Sequence, residues 1–414
     1  MTPAPGEAPD LASPLCLPCG LVLPNRIAKA AMTECLADPR TNDPNDRHVR
    51  LYRRWADGGP GLSVTGNVMV DRRYLERTTN VVLDERTDRG ALARWARAAQ
   101  ADGVPALVQV NHPGRQCSVF VSRHPVAPSA VRLRTLGAFA TPRPLTDAEV
   151  EDLADRYAAV AGMAVGAGFA GVQVHAAHGY LASQFLSPLA NLRSDRWGGP
   201  LANRARFLLE VVARTRAAIG PSAALAVKLN SADFLRGGFG EDEAAQVVAW
   251  LEAEGVDLLE VSGGTYESPA LMGIADGLGH EDAEAYFVGF AARLRAEVRM
   301  PLMLTGGIRS AAVMRRLLAA GTVDVIGLAR PLALDPALPR GLITGAVERS
   351  PVAVPGSRWA TMDALVEAGW YGLQMARMAD GRDPDPGLPR WRAIVGYLGD
   401  EARHAARREV AALP

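Results

Sequence analysis

Residues 146–181 read TDAEVEDLADRYAAVAGMAVGAGFAGVQVHAAHGYL, and the reading of this stretch decides the fold. Thr146 and Glu149 stand at capping-box spacing, where each side chain satisfies the other residue's backbone N–H. An amphipathic helix is therefore expected from here to about Gly166. After a glycine-rich break comes Gly171-Val-Gln-Val174, a short apolar run of strand type. His175, His178 and Tyr180 follow at its end. If the chain turns helically there, residues three apart share a side and both imidazoles face one ligand atom. Spacing alone leaves zinc open, because neutral imidazole is a common zinc ligand. A zinc site needs a third protein ligand, however, and the sequence has no His-Glu-x-x-His or clustered Cys/His pattern.

The helix-then-strand pattern repeats in both directions. Strands are expected at Ile27–Met32, Leu62–Thr65, Ala106–Val110, Ala224–Leu229, Asp257–Val261, Pro301–Thr305 and Val323–Gly327. Helices are expected at His48–Ala56, Arg89–Asp102, Leu201–Ile219, Glu241–Glu254, Ala283–Glu297 and Ser310–Ala320. Short apolar strands fit a parallel sheet buried on both faces. Eight βα units over roughly 300 residues are what a (β/α)8 TIM barrel of the α/β class requires. The alternative, an open doubly wound sheet, lacks a G-x-G-x-x-G after the first strand. Residues 1–12, rich in Pro and Ala, are expected to form a disordered tail, with the barrel over 13–340. Residues 341–414 are expected to be a C-terminal helical extension, helical over Ala360–Met378, packing on the barrel or a partner subunit.

Composition narrows the function classes. The 414 residues carry 45 Lys+Arg against 45 Asp+Glu, so there is no basic footprint for nucleic acid. The most membrane-like run, Ala158–Val172, is too short and too weakly apolar to span a bilayer. The N-terminus has neither a basic start nor an apolar core, and no signal peptide is expected. Four cysteines are too few for a disulfide framework, so the cytoplasm is the expected location. Cys16-Leu-Pro-Cys19 has the C-x-x-C form, but only Cys35 and Cys117 remain as further thiol ligands and neither lies in a pair. Two ordinary thiols are expected there, and no metal.

In such a barrel the strand C-termini share one face, which holds the active site. That makes neighbours of Thr33, Gly66, Gln109, His112, His175, His178, Tyr180, Lys228, Gly307, Ala329 and Arg330. Gly306-Gly307 alone is an ordinary tight turn. With Arg330 on the adjacent strand end it reads as a phosphate cradle, where backbone N–H groups approach closely and a guanidinium binds bidentately.

Several stretches together resemble the old yellow enzyme family of FMN-dependent ene-reductases. They are Leu23-Pro-Asn-Arg-Ile27 with Lys29-Ala-Ala-Met-Thr33, Gln109-Val-Asn-His-Pro-Gly-Arg115 and His175-Ala-Ala-His-Gly-Tyr-Leu181. Ser187-Pro-Leu-Ala-Asn191 leads to Arg193-Ser-Asp195, Gly198-Gly199 and Asn203-Arg204, and Thr305-Gly-Gly307 and Gly327-Leu-Ala-Arg330 complete the set, covering about Leu11 to Asp335. The resemblance implies bound FMN, reduced by NADH or NADPH, passing hydride to the β-carbon of an α,β-unsaturated carbonyl or similar activated alkene. It implies that His175 and His178 polarise the substrate oxygen and that Tyr180 protonates the α-carbon. Lys228 would lie by the flavin N1/O2 edge, Gln109 on the pyrimidine and Thr33 near the C4 carbonyl. Ala31, Met32 and Gly66 would line the ring, with Gly307, Ala329 and Arg330 on the phosphate. The expected partners are a small-molecule alkene, with no nucleic acid and no membrane; a homo-oligomer is left open.

One branch of the family carries cysteine where Thr33 stands, so thiol tuning at that position is not expected. No cysteine follows Cys117, so the iron–sulfur cluster of larger members is not expected either. Gln116–Arg143 and Gly263–Asp282 are expected to cap the pocket, with Phe120, Phe139, Phe234 and Tyr266 as lining candidates. The same FMN barrel serving a specialised biosynthetic oxidation, demethylation or redox-neutral rearrangement is the alternative reading.

Overall fold

The computed structural model describes residues 9–134, 137–265, 267, 284–350 and 360–405. Eight strands form the barrel: β1 (Ile27–Lys29), β2 (Leu62–Met69), β3 (Ala106–Asn111), β4 (Gly171–Ala176), β5 (Ala224–Asn230), β6 (Leu258–Ser262), β7 (Leu302–Thr305) and β8 (Val325–Leu328); a short strand, Val81–Val82, adds to the edge of β2. Neighbours in sequence pair in parallel, and β8 pairs back onto β1 in parallel, so the sheet closes into a (β/α)8 barrel.

The helices between strands are α1 (Asp46–Asp57), α2 (Arg89–Ala99), α3 (Asp147–Gly166), α4 (Leu181–Leu186), α5 (Leu201–Ile219), α6 (Glu241–Ala253), α7 (Val288–Glu297) and α8 (Ala311–Ala319). The Thr146–Glu149 capping box starts α3, and Asn45, Asp88 and Ser310 side chains cap α1, α2 and α8. Each cap satisfies backbone donors that the first turn leaves without partners.

Strand alternation separates two cores. Outward residues such as Val108, Val172, Val174, Leu225 and Val227 meet the helices. Inward residues Ala28, Leu62, Val64, Leu107, Ala224, Ala226, Leu258, Met303 and Val325 fill the barrel. Leu17 and Leu23 join this inner group from a hairpin pairing Leu15–Cys16 with Val22–Leu23. Leu11, within the stretch expected to be a tail, is fully buried, and its carbonyl accepts the Arg26 N–H at 2.9 Å.

Several boundaries depart from the sequence expectation: β1 ends at Lys29 rather than Met32 and α2 at Ala99 rather than Asp102. β2 runs four residues past Thr65, to Met69. Its register against β3 shifts between Val64 and Asn67, and a bulge of this kind lets a strand continue through Gly66. Helix α7 starts at Val288 rather than Ala283, because Ala285 takes a left-handed φ of 60° that no helix interior accommodates.

Beyond β8 come α9 (Pro331–Leu334), α10 (Leu338–Thr344), α11 (Ala360–Ala379) and α12 (Arg390–Ala405). The end of α11 meets α1 through Arg50 Nε donating to the Ala379 carbonyl and the Arg47–Asp380 ion pair at 2.8 Å. From α12, buried Glu401 reaches Arg77 Nε at 2.8 Å and the Thr78 N–H at 3.2 Å. The extension therefore holds the loop that follows β2. Among the described residues, no helix is long and apolar enough to cross a membrane.

Candidate active site

The inward face of the strands changes character from bottom to top. Along β3 it reads Leu107, Gln109, Asn111; along β4, Gly171, Gln173, His175; along β5, Ala224, Ala226, Lys228, Asn230; along β6, Leu258, Glu260, Ser262. The upper positions form a continuous hydrogen-bonded layer. Gln109 Nε2 donates to Gln173 Oε1 at 2.7 Å, and Gln173 Nε2 donates to Glu260 Oε2 at 2.8 Å. Glu260 Oε1 pairs with Lys228 Nζ at 2.8 Å. In register, Lys228 stands opposite both His175 and Glu260. A buried cation needs such a partner, since an unpaired charge here would cost several kcal/mol. Gln173, Glu260 and Ser262 were not singled out from the sequence, although the two-residue strand period places each one beside a residue that was.

His175 lies within β4, not after it, and the histidines converge by a different route from the helical turn expected. His178 and Gly179 both take left-handed backbone, with φ of 60° and 75°. Tyr180 then occupies the N-cap position of α4. This turn brings the His175 and His178 rings to 5.2 Å and the His175 and Tyr180 rings to 4.8 Å. A left-handed histidine is held only where its surroundings fix it. Here the His178 N–H donates to Asn230 Oδ1 at 3.1 Å, and His178 Nε2 shares a 2.8 Å hydrogen bond with Ser262 Oγ. The Ala177 N–H donates to His175 Nδ1 at 3.2 Å, so a neutral His175 carries its proton on Nε2 as a donor. Burial, helped by the charge of Lys228, holds both imidazoles well below their usual pKa. Both rings are thereby held in the neutral form.

Gln184 of α4 fixes this loop against its neighbour. Its Nε2 donates to the carbonyls of Pro113 and Gly179 at 3.0 and 2.7 Å, and its Oε1 accepts the Arg115 N–H at 3.1 Å. Arg115 in turn pairs with Glu267, beyond β6. His112 is fully buried and packs against Tyr74 with ring centroids 5.4 Å apart.

At the other side of the mouth, Ala31, Met32 and Thr33 follow β1 and are half-buried. The Gly66 N–H donates to Glu34 Oε1 at 3.0 Å, and Tyr52 donates to the same carboxylate. A side chain at Gly66 would overlap Glu34, the Met32 carbonyl and the Thr33 backbone, which is why glycine stands there. After β7, Gly306 and Gly307 have φ of 144° and 71°. The Phe287 ring lies against Gly306 and the Tyr286 ring against Gly307. Ala329 and Arg330 follow β8 and are half-buried.

This mouth fits a planar, heteroatom-rich ring carrying a phosphate. Asn67 Oδ1, both polar side-chain atoms of Asn111 and Thr305 Oγ1 are buried without a protein partner. A flavin ring offers groups to match such atoms, and the left-handed glycines beside Arg330 suit an anion. No group of three or more metal-ligating side chains occurs among the described residues.

Burial pushes the Cys35 thiol up to about 12, so it is no thiolate, and Cys117 is buried. Cys16 is exposed and Cys19 half-buried, both as free thiols. Of the expected pocket-lining aromatics, Phe120 and Phe234 are 42% and 45% exposed. Phe234 also lies 6.0 Å from the Phe287 ring. Phe139 bridges to Ser118, and Tyr266 lies outside the described residues, as does most of the expected Gly263–Asp282 cap.

A family model described as NADH:flavin oxidoreductase / NADH oxidase matches residues 11–347. The NADH-dependent flavin oxidoreductase iliE of Hypocrea jecorina (strain QM6a) is 37% identical over 351 residues, covering 79% of this chain and 87% of that one. The old yellow enzyme homologue from Zymomonas mobilis superposes with a TM-score of 0.70 at 26% identity, covering 83% of this chain and 95% of that one. Morphinone reductase, solved in complex with tetrahydroNAD, gives a TM-score of 0.69 at 25% identity, covering 86% and 97%. With the barrel, the flavin-compatible mouth and these likenesses in agreement, the chain belongs to the NADH:flavin oxidoreductase / NADH oxidase family, the family of old yellow enzyme.

Proposed function

We propose that this protein is an FMN-dependent ene-reductase, taking hydride from NADH or NADPH and saturating the C=C bond of α,β-unsaturated carbonyl compounds or similar activated alkenes. The observation that carries this reading is the convergence of two neutral imidazoles and a phenol at the end of β4. Nicotinamide as donor is supported by the NADH-dependent relative and by the morphinone reductase complex.

The residues that would hold FMN are Ala31, Met32, Thr33 and Gly66 along the ring, Gln109 and Lys228 at its polar edge, and Gly307, Ala329 and Arg330 at the phosphate. Gln109 has its amide engaged with Gln173, which leaves its carbonyl oxygen for the ring. When bound, the flavin supplies the hydride; the protein supplies binding, orientation and electrostatics. His175 Nε2–H and His178 aim donors at the substrate's carbonyl oxygen, where negative charge grows during hydride addition. Because both rings are neutral, they stabilise that charge without surrendering a proton. Tyr180, a weak acid at 4% exposure, delivers the proton to the α-carbon.

The test is an anaerobic absorbance experiment on the FMN-loaded protein, adding NADH and then 2-cyclohexenone. Bleaching by NADH with recovery on the enone is the expected result. A flavin that bleaches but ignores the enone rejects enone reduction and favours the specialised biosynthetic reaction instead.

A further inference from the structure

Glu76 lies on the loop after β2, in a stretch that no sequence pattern marked, yet its carboxylate is tied to three strand ends. Oε1 accepts the Tyr180 hydroxyl at 2.6 Å. Oε2 accepts Asn67 Nδ2 at 2.8 Å, and the Thr33 hydroxyl approaches it at 3.4 Å. Tyr180 is buried, whereas Glu76 is half-buried. The loop is held from outside by Glu401 of α12 through Arg77 and Thr78.

We propose that Glu76 is the residue through which Tyr180 regains its proton after each turnover, and that it sets the direction of the phenol between turnovers. The proposal rests on the ene-reductase reading above. Once Tyr180 has given its proton away, a phenolate and a carboxylate would sit at hydrogen-bonding distance, and two like charges that close cannot both persist in a buried site. The pair therefore holds one negative charge. The balance is simple: the Tyr180 O–H bond breaks as the α-carbon C–H bond forms. The Glu76 carboxylate then takes a proton from solvent acid, forming its own O–H, and that O–H breaks as the Tyr180 O–H re-forms. No electrons move in the relay. The other charged groups around Glu76 are internally matched, Arg77 with Glu401 and Glu34 with Tyr52, and His175 against the Tyr180 ring is neutral. Glu76 acts through Tyr180 and so is a positioning and relay residue.

The discriminating variant is Glu76→Gln, which keeps an acceptor for the tyrosine but carries no proton. With FMN-loaded, prereduced enzyme and 2-cyclohexenone, the loss is expected on the second and later turnovers, about a hundredfold relative to the first. Added imidazolium or formic acid buffer should restore those turnovers in proportion to its concentration. An equal loss in the first and later turnovers with no rescue, or no loss at all, overturns the relay. A second readout needs no substrate: the tyrosinate absorbance titration assigned to Tyr180 by difference from Tyr180→Phe. Removing the carboxylate should lower its midpoint by about one pH unit or more. An unmoved midpoint contradicts the coupling. If wild-type enzyme fails to reduce the enone while the midpoint still moves, the ene-reductase reading has failed and the Tyr180–Glu76 coupling has not.

Discussion

The two sides of the barrel mouth are made from different materials. At the end of β4 the groups proposed for the chemistry are side chains, each held by a neighbour: His178 by Asn230 and Ser262, His175 by the Ala177 amide, Tyr180 by Glu76. At the ends of β7 and β8 the surface proposed for the phosphate is backbone, with Gly306 and Gly307 at positive φ against the Phe287 and Tyr286 rings. The contrast separates two tasks. Chemistry at a developing charge needs atoms placed to a few tenths of an ångström, which interlocked side chains provide. Holding a phosphate draws on backbone N–H groups, which glycine can present by taking positive φ.

The largest effect should come from the side-chain face. His175→Ala removes a donor to the substrate oxygen and should slow flavin reoxidation by the enone about 10²–10³-fold, with FMN still bound stoichiometrically. Rapid-mixing kinetics beside a flavin-to-protein ratio decides it, and a variant that loses FMN instead would erase the contrast.

Gly307→Val should do the reverse. A β-branched residue at φ 71°, pressed into the Tyr286 ring, costs about 1–3 kcal/mol in backbone strain before any overlap is counted. FMN affinity, read by fluorescence quenching, should fall roughly tenfold to a hundredfold or more on that scale. Unchanged affinity would mean that the glycine pair is only a turn.

A further effect concerns the histidines, taken one at a time. Burial holds His48 down to about 3 and His112 to about 4, with His175 and His178 also depressed. The unfolded chain takes up these protons near pH 6.5 while the native state does not. Stability is therefore full above that pH and is lost as pH falls below it, by about 1.4 kcal/mol per unit for each histidine. Thermal melts of the holoprotein should be level from pH 8 to 7 and decline from 6.5 toward 5. His48→Gln, at the ring packed on Trp95, should reduce that decline by about 2 kcal/mol at pH 5. A pH-independent melting curve would refute the buried-neutral assignment.

Much of this was legible in the sequence, for physical reasons that differ by residue. The barrel could be read because buried parallel strands are short apolar runs and capped helices announce their starts, as at Thr146 and Glu149. Lys228, Gln109 and His175 could be read because they share strand parity at the strand tops. Gln173 and Glu260 obey the same parity and were accessible by the same rule. The left-handed turn at His178 was not legible, since neighbours on β5 and β6 hold it rather than its own sequence. Glu76 was not legible either: it sits on a loop without periodicity, and only the closure of the barrel brings it to Tyr180.

The most direct test of the central claim is rapid-mixing analysis of both half-reactions in Tyr180→Phe. Flavin reduction by NADH should stay within about threefold of wild type, while reoxidation by 2-cyclohexenone should slow about 10²–10⁴-fold. Equal loss in the two half-reactions, or none in the second, would contradict Tyr180 as the proton donor and with it the reading of the β4 side as the seat of the chemistry.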